Sequence, residues 1–425
     1  MKSTVSLLPL LLVYFVVVLV AAPDSLASDD EDRYAQYAEN LTHGFYSPEG
    51  RVDLWFGPGY PLVLVPFAAF DLPWMAARLL NGLMLFAAVL VFYATLRLYA
   101  PERYALVGAT LFGLYPPFVL LTYRLYSEML ALLLVTGMVY HFCRVFRPSR
   151  AGAGLHLVLA GLCLAVLALT KVFFGFAILA GLVVFGALYA ATRHPAYRPV
   201  LLMSGVALAV CVPYLVYTFQ LTHQLYYWGN SGGLSLYWMS SPYEGDLGDW
   251  HSKADFNSPD YTDGGEALAI NHGAFFSDVT LMSDMDRDMA FRNQAVENIK
   301  AHPAKFVQNW IANVGRLVFN YPYSYTPQKI STYLYILPNM LLIAAAVLSL
   351  YPTWAARRRF PPEIALLLGF GLLTFGGSSV LSAYNRQFLP VVPVLGLWIG
   401  YVWSNLARIE LRAPDPALAM LDGSQ

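Results

Sequence analysis

The feature that most constrains this sequence is a series of about ten long apolar segments. A bilayer core about 30 Å thick is crossed by a helix of roughly 20 apolar residues, and each segment comes close to that length. The sequence therefore predicts an all-α polytopic membrane protein with about ten transmembrane helices. They fall near residues 5–22, 76–99, 104–122, 127–145, 154–170, 172–191, 200–219, 331–350, 363–381 and 388–406.

Composition excludes two other classes of protein. Apolar residues make up 58% of the chain and charged residues only 12%, which does not suit a water-soluble globule. The formal net charge of −1 provides no basic surface, so nucleic acid is not expected as a partner. Cys143, Cys163 and Cys211 lie inside apolar segments without metal-ligand spacing, which indicates packing residues.

The distribution of basic residues predicts the orientation in the membrane. Lys and Arg in short loops stay in the cytoplasm, and long loops are exempt from this rule. With both termini inside, 13 of the 26 basic residues are cytoplasmic, seven lie in one long external loop and six face outward elsewhere. The sequence thus predicts an inner-membrane protein with its chemistry on the periplasmic, extracytoplasmic side. The 13 are Lys2, Arg97, Arg103, Arg144, Arg147, Arg150, Arg193, Arg198, Arg357, Arg358, Arg359, Arg408 and Arg412.

Two apolar segments have more than one interpretation. The stretch from Pro61 to Phe70 is too short to span and predicts a helix that lies at the membrane surface or dips into it. The first span also resembles a signal peptide, with Lys2 ahead of it and the small residues Ala21 and Ala22 at its end. Cleaved or retained, it leaves the following segment outside.

Three regions follow from this organisation. Residues 1–219 form an N-terminal transmembrane module with a catalytic first external loop at 23–60. Residues 220–330 form a large external, mostly helical loop subdomain, in which Pro303 is suited to opening a helix. Residues 331–425 form a C-terminal transmembrane module and a short cytoplasmic tail. The apolar positions at helical spacing in the large loop are Met289, Val296, Ile299, Phe306, Trp310 and Val314.

The first external loop opens with four consecutive acids at residues 29–32. Like charges this close raise one another's pKa unless a cation or a helix N-terminus compensates them. The structural interpretation is a helix that runs to Leu41 with Asp29 or Asp30 as its N-cap. The functional interpretation is an acidic site at the membrane surface. A turn rich in Gly and Pro follows at residues 55–62.

Ionisable residues also occur at the outer ends of four spans. Arg124 and Glu128 are four residues apart at one boundary, Lys171 lies at a second, and Arg386 begins the last span. Each alone is typical of an ion pair or of a side chain that reaches out to the interface. Three cations and a carboxylate cluster on one face together favour a phosphate site.

The order of several short motifs resembles the C-type glycosyltransferases of the protein O-mannosyltransferase and lipid A aminoarabinose transferase kind, which use polyprenyl-phosphate sugars. The resemblance covers nearly the whole chain and implies the C-type glycosyltransferase fold. It rests on residues 30–35 (Asp-Glu-Asp-Arg-Tyr-Ala), 38–41, 58–62 (Pro-Gly-Tyr-Pro-Leu), 126–130 (Tyr-Ser-Glu-Met-Leu), 169–171, 212–214, 232–233, 295–303 and 385–390 (Asn-Arg-Gln-Phe-Leu-Pro).

The resemblance also implies roles for individual residues. Its first-loop acidic pair falls on Asp30 and Glu31, with Asp30 as the general base, and its second acidic position falls on Glu128. Tyr34, in the first motif, is expected to contact substrate. Lys171 and Arg386, with Arg124 as a third candidate, are expected to hold the donor phosphate.

The implied reaction is the transfer of a sugar from a polyprenyl-phosphate donor to a hydroxyl on the outer face of the membrane. A single displacement with one base inverts the sugar configuration. The acceptor is a lipid, glycan or protein, and a divalent cation is left open as a cofactor. A lipid-linked glycan transporter or flippase and a polysaccharide ligase are the alternatives. A transporter typically shows two related halves, which this sequence lacks.

Overall fold

The computed structural model describes residues 2–23, 25–26, 28–147, 152–258, 264–326 and 329–407. The regular secondary structure in these ranges consists of α-helices and short 3₁₀ helices, without strands. The α-helices are α1 (Lys2–Val5), α2 (Leu8–Ala21), α3 (Asp29–Thr42), α4 (Gly59–Ala69), α5 (Trp74–Leu96), α6 (Glu102–Gly113), α7 (Pro116–Thr122), α8 (Glu128–Val145), α9 (Ala153–Thr170), α10 (Phe173–Thr192), α11 (Arg198–Thr222), α12 (Gly232–Met239), α13 (Gly264–Thr280), α14 (Asp284–Ala301), α15 (Pro303–Phe319), α16 (Tyr333–Ala355), α17 (Pro362–Ser379) and α18 (Val392–Asn405).

Within the described ranges, eight helical segments are long and apolar enough to cross a membrane. They include α5, α8, α9, α10, α11, α16, α17 and α18, and they confirm eight of the predicted spans. The predicted span at 104–122 is instead the pair α6 and α7, bent by 51°, because Pro116 at the start of α7 interrupts the helix. The first predicted span contains α2, a shorter apolar helix of 14 residues.

Small residues let the central helices α8, α9 and α11 pack closely. A Cβ at Gly161 on α9 would lie 2.7 Å from the Val206 side chain on α11. A Cβ at Gly137 on α8 would lie 3.0 Å from the sulfur of Cys163 on α9. Glycine at such crossings is the usual way for membrane helices to approach each other. The three cysteines are free and at least partly buried, in agreement with a packing role.

The first polar segment folds as α3 followed by the surface helix α4. Ser28 caps α3, and its Oγ accepts the backbone N–H of Glu31 at 3.3 Å. The prediction of Asp29 or Asp30 as N-cap is therefore wrong, since Asp30 is the second residue of the helix. The predicted helix at Pro61–Phe70 is confirmed as α4, which packs against α3 and α9.

The large loop folds as a helical subdomain with its own core. It contains α12 to α15, and α14 and α15 confirm the predicted helical stretch, with Pro303 in the first turn of α15. The domain boundaries at 219/220 and 330/331 stay predictions. The core of the subdomain consists of Tyr237, Trp238, Leu268, Phe276, Val279, Phe291 and Ala295.

Helix α15 buries several polar side chains and exposes several apolar ones. Asn309 and Asn313 are fully buried and donate to backbone carbonyls, with Asn313 reaching Ser379 and Leu381 at 2.7 Å. Ile311, in contrast, is 62% exposed. The predicted apolar stripe therefore does not form the subdomain core, and Met289, Val296 and Trp310 are all at least 40% exposed.

Polar contacts at the other end of the bundle agree with the predicted division into two membrane faces. Arg147 donates to the carbonyl of Leu98 at 2.6 Å, and Tyr99 donates to Glu363 at 2.8 Å. The orientation itself stays a prediction. The predicted tail at 408–425, with Arg408 and Arg412, lies outside the described residues, as does Arg150.

Candidate active site

Four charged side chains from distant parts of the chain meet at one end of the helical bundle. Asp30 lies in the first turn of α3, Glu128 begins α8, Lys171 follows α9 and Arg386 precedes α18. Lys171 Nζ lies 2.8 Å from Glu128 Oε1, and Arg386 lies 2.6 Å from Asp30 Oδ2. Arg386 Nε is also 3.8 Å from Glu128 Oε1. The structure thus brings together four of the seven residues that the sequence singled out.

The Gly-Pro-Gly turn explains how Lys171 is positioned. A Cβ at Gly57 would lie 2.1 Å from the carbonyl oxygen of Leu169, and one at Gly59 would lie 2.3 Å from Thr170 Oγ1. Only glycine permits this approach of one backbone to another. The turn therefore packs directly against the last residues of α9. This contact fixes the C-terminal end of the helix, and Lys171 is the next residue.

The two carboxylate oxygens of Glu128 differ in their contacts among the described residues. Oε1 accepts from Lys171, whereas Oε2 is buried and has no hydrogen-bond partner among the described residues. A buried carboxylate oxygen without a partner costs free energy unless a ligand or water supplies a donor. Its position at the N-terminus of α8 stabilises the negative charge. Glu128 can therefore accept a hydrogen bond from a bound hydroxyl.

Two aromatic rings hold the Arg386 guanidinium in place. Its Cζ atom lies 5.0 Å from the ring centroid of Tyr126 and 5.5 Å from that of Tyr384. Contacts of this kind keep a cation in a fixed orientation while leaving donors free for an anion.

Tyr34 lies beside the charged residues. Its hydroxyl donates to Ser127 Oγ at 3.0 Å, and its ring stacks on Phe56 with centroids 4.3 Å apart. Burial, with the nearby carboxylates Glu128 and Asp30, raises the pKa of Tyr34 well above its ordinary value. The hydroxyl therefore stays protonated and acts as a hydrogen-bond donor.

Glu31 and Arg124 are not part of this cluster. Glu31 is fully buried, lies 3.3 Å from Arg78 and accepts the backbone N–H of Leu125 at 2.8 Å. Arg124 lies over the ring of Tyr123 at 5.2 Å and does not line the cavity described next. The sequence analysis did not single out Arg78 as the partner of Glu31. An arginine inside a predicted apolar span is unusual, and this position could have indicated a buried ion pair.

A cavity of about 240 Å³ opens beside the charged cluster. Its lining includes the polar residues Lys171, Glu128, Arg386 and Tyr34. The aromatic side chains of Phe173, Phe174 and Phe176 also line it, and Phe176 is 52% exposed on the outside of the bundle. The loop subdomain contributes Gly229, Ser231, Gly232, Ser235 and Arg292. The cavity therefore suits a ligand with a charged head and an apolar chain.

The residues of this cluster do not form a cation site as they stand. The Arg386 guanidinium lies between the carboxylates of Asp30 and Glu128. The described ranges hold no group of three or more His, Cys, Asp or Glu residues that could bind a metal. The expectation of a divalent cation stays a prediction, and no step below depends on it.

The chain matches no protein-family model and no curated protein. Its structure nevertheless has the fold of the C-type membrane glycosyltransferases that use polyprenyl phosphates. The similar solved structures include ArnT from Cupriavidus metallidurans bound to undecaprenyl phosphate, at 17% identity and a TM-score of 0.52. They also include the oligosaccharyltransferase AglB from Archaeoglobus fulgidus in complex with an inhibitory peptide and a dolichol-phosphate, at 14% identity and a TM-score of 0.50.

A further structure of the Archaeoglobus fulgidus enzyme, tethered to an acceptor peptide, matches at 16% identity and a TM-score of 0.51. The alignments cover 95%, 98% and 93% of this chain, but only 60%, 54% and 49% of the three solved chains. This chain therefore spans only about half to three fifths of the proteins that it resembles. The resemblance seen in the sequence motifs is confirmed at the level of the fold.

Proposed function

We propose that this protein is a glycosyltransferase that moves a sugar from a polyprenyl-phosphate donor to a hydroxyl acceptor on the outer face of the membrane. The observation that carries the proposal is the cavity whose lining combines the cations Lys171 and Arg386 with several phenylalanine side chains. A polyprenyl phosphate likewise combines a charged head with an apolar chain. Of the solved structures with this fold, one is bound to undecaprenyl phosphate and another is in complex with a dolichol-phosphate.

Lys171 and Arg386 bind the donor phosphate in this proposal. A phosphate leaving group is already a weak base, so it needs positive charge and no general acid. Both side chains already lie at the cavity, with 17% and 20% of their surface exposed, so they need little reorganisation to meet the donor. The prenyl chain lies along Phe173, Phe174 and Phe176. It leaves the cavity for the lipid phase beside Phe176, which is exposed on the outside of the bundle.

Asp30 is the general base. The acceptor oxygen attacks the anomeric carbon, its proton passes to the Asp30 carboxylate, and the bond between the sugar and the phosphate oxygen breaks. The polyprenyl phosphate leaves with the electron pair of that bond. One displacement on one face of the sugar inverts its configuration, by analogy with the inverting glycosidases. Glu128 positions Lys171 and offers Oε2 to a substrate hydroxyl.

Glu31 supports the site from outside it. Glu31 holds Arg78, which also donates to the carbonyls of Pro23 and Ser25 at 2.8 and 3.0 Å. This contact fixes the start of α3, and with it Asp30. The placement on the periplasmic side of the inner membrane rests on the excess of basic residues in the opposite loops.

Reconstituted protein tests this function. Purified protein is incorporated into liposomes that contain a polyprenyl-phosphate sugar labelled in the sugar, and water-soluble and lipid-soluble products are separated. We expect label to leave the polyprenyl phosphate with the wild-type protein and to stay on it with the Lys171→Met variant. Label that crosses the bilayer while still attached to the lipid would contradict the proposal and identify a flippase.

A further inference from the structure

A second cavity, of about 280 Å³, lies next to the charged cluster. The loop subdomain contributes Trp250 and His251, the segment after α15 contributes Tyr323 and Lys329, and Tyr384 completes the wall. None of these residues lines the first cavity.

The short segment 384–386 contributes to the linings of both cavities. Tyr384 lines the second cavity and Arg386, two residues later, lines the first, with the guanidinium 5.5 Å from the Tyr384 ring. Asp30 contacts Arg386 at 2.6 Å, and its side chain is 26% exposed. Asp30 lines neither cavity, but through Arg386 it lies beside the segment that contributes to both.

The lining of the second cavity matches a carbohydrate better than a lipid or an anion. Three aromatic side chains, Trp250, Tyr323 and Tyr384, line it, and an aromatic ring is a suitable surface for the C–H face of a sugar. No aliphatic side chain is among the described residues that line it, so an acyl chain finds no matching surface. Burial lowers the pKa of His251, which leaves Lys329 as the cation in the described lining.

The hydrogen-bonding groups of this cavity are held rigidly. Asp249 Oδ2 accepts the backbone N–H of Ser324 at 3.0 Å, and its other oxygen accepts the Ser324 hydroxyl. Tyr323 donates to Asn320 Oδ1 at 2.6 Å. Fixed donors and acceptors beside aromatic faces select hydroxyl-rich ligands, because each unmatched polar group would lose a hydrogen bond.

We propose that the second cavity binds the acceptor and that the acceptor is a carbohydrate. The proposal rests on the proposed function and names the substrate class for it. In this proposal one hydroxyl of the bound sugar reaches Asp30 beside Arg386. Its oxygen forms the new bond to the anomeric carbon of the donor, its proton moves to Asp30, and the donor's bond to phosphate oxygen breaks.

Competition between transfer and hydrolysis tests the proposal. Full-length protein in liposomes receives the labelled donor, together with methyl and benzyl hexosides as carbohydrate probes. A Ser/Thr peptide and a fatty alcohol represent the other acceptor classes. Label released as free sugar reports hydrolysis by water, and label on a probe reports transfer. Because both products come from one preparation, hydrolysis also shows that a variant is folded.

We expect transfer to hexosides and not to the other two probes. Trp250→Ala should lower the ratio of transfer to hydrolysis by about tenfold or more, a usual cost of truncating an aromatic contact in a binding site. Trp354→Ala, on a lipid-facing helix and 63% exposed, is the matched control and should leave the ratio unchanged.

Two results would overturn the proposal. One is an unchanged ratio in Trp250→Ala, and the other is transfer to the peptide or the alcohol but not to any hexoside. A wild-type protein that neither hydrolyses the donor nor transfers from it would instead overturn the proposed function, and this proposal with it.

Discussion

Asp30 and Glu31 are neighbours in the chain, yet their surroundings predict opposite effects of substitution. The Asp30 side chain is 26% exposed and pairs with Arg386, which is 20% exposed. Glu31 is fully buried and pairs with Arg78, which is 1% exposed. Adjacent helical residues point about 100° apart, which is enough to direct the Asp30 side chain toward Arg386 and the Glu31 side chain into the protein.

Asp30→Asn keeps the shape of the side chain and removes the proton acceptor. Turnover should fall by about 10² to 10⁴, the usual loss when a general base is removed. Stability should change by less than about 1 kcal/mol, because a partly exposed ion pair contributes little. The helix start is preserved, since Ser28 and not Asp30 is the N-cap.

Glu31→Gln should show the reverse. It leaves the Arg78 guanidinium buried without its counter-charge, and removal of one partner from such a pair costs about 3–5 kcal/mol. Turnover per folded molecule should fall far less than in Asp30→Asn. The assay combines release of label from the donor with denaturant unfolding of the same purified samples. Near-normal turnover in Asp30→Asn would refute the assignment of the base, whatever the outcome for Glu31→Gln.

Three further predictions concern the surroundings of the site. Gly57→Ala places a methyl group 2.1 Å from the Leu169 carbonyl oxygen, so the turn must move and the KM for donor should rise. A spin label at Ile311 on the apolar face of α15 should be relaxed more by oxygen than by a water-soluble nickel chelate, because we expect that face to lie in lipid. The pKa of Asp246 lies below its ordinary value. Burial alone would raise this pKa, but the hydrogen bond and charge of His272 and hydrogen bonds from two hydroxyls outweigh that effect. The Asp246 carboxylate therefore stabilises the fold above about pH 4, and this stabilisation is lost as the pH falls. In Asp246→Asn the free energy of unfolding, measured as a function of pH, should change less over that range than in the wild type.

Much of the fold follows from the sequence because an apolar run long enough to cross a bilayer usually forms a transmembrane helix. Eight predicted spans appear with ends shifted by a few residues. The bend between α6 and α7 has a local cause in Pro116 and could have been predicted from it. The convergence of Glu128, Lys171 and Arg386 followed from their common position at the outer ends of spans.

Other features depend on contacts between distant residues and could not be predicted. The separation of Asp30 from Glu31 depends on Arg78 of α5 and on the backbone of Leu125. The burial of Asn309 on α15 depends on backbone carbonyls elsewhere in the fold that accept hydrogen bonds from its side chain. Apolar residues at helical spacing normally indicate a buried face, but in a membrane protein they can equally face lipid.

Binding of the donor lipid without its sugar tests the central claim most directly. The probe is undecaprenyl monophosphate, titrated into purified wild type, Lys171→Met and the control Lys253→Met. Lys253 is an exposed lysine of the loop subdomain that contacts Thr280. Loss of a charge-assisted hydrogen bond should weaken binding by about tenfold or more in Lys171→Met and leave Lys253→Met at the wild-type affinity. Equal affinity of wild type and Lys171→Met would contradict the placement of the donor phosphate in this cavity.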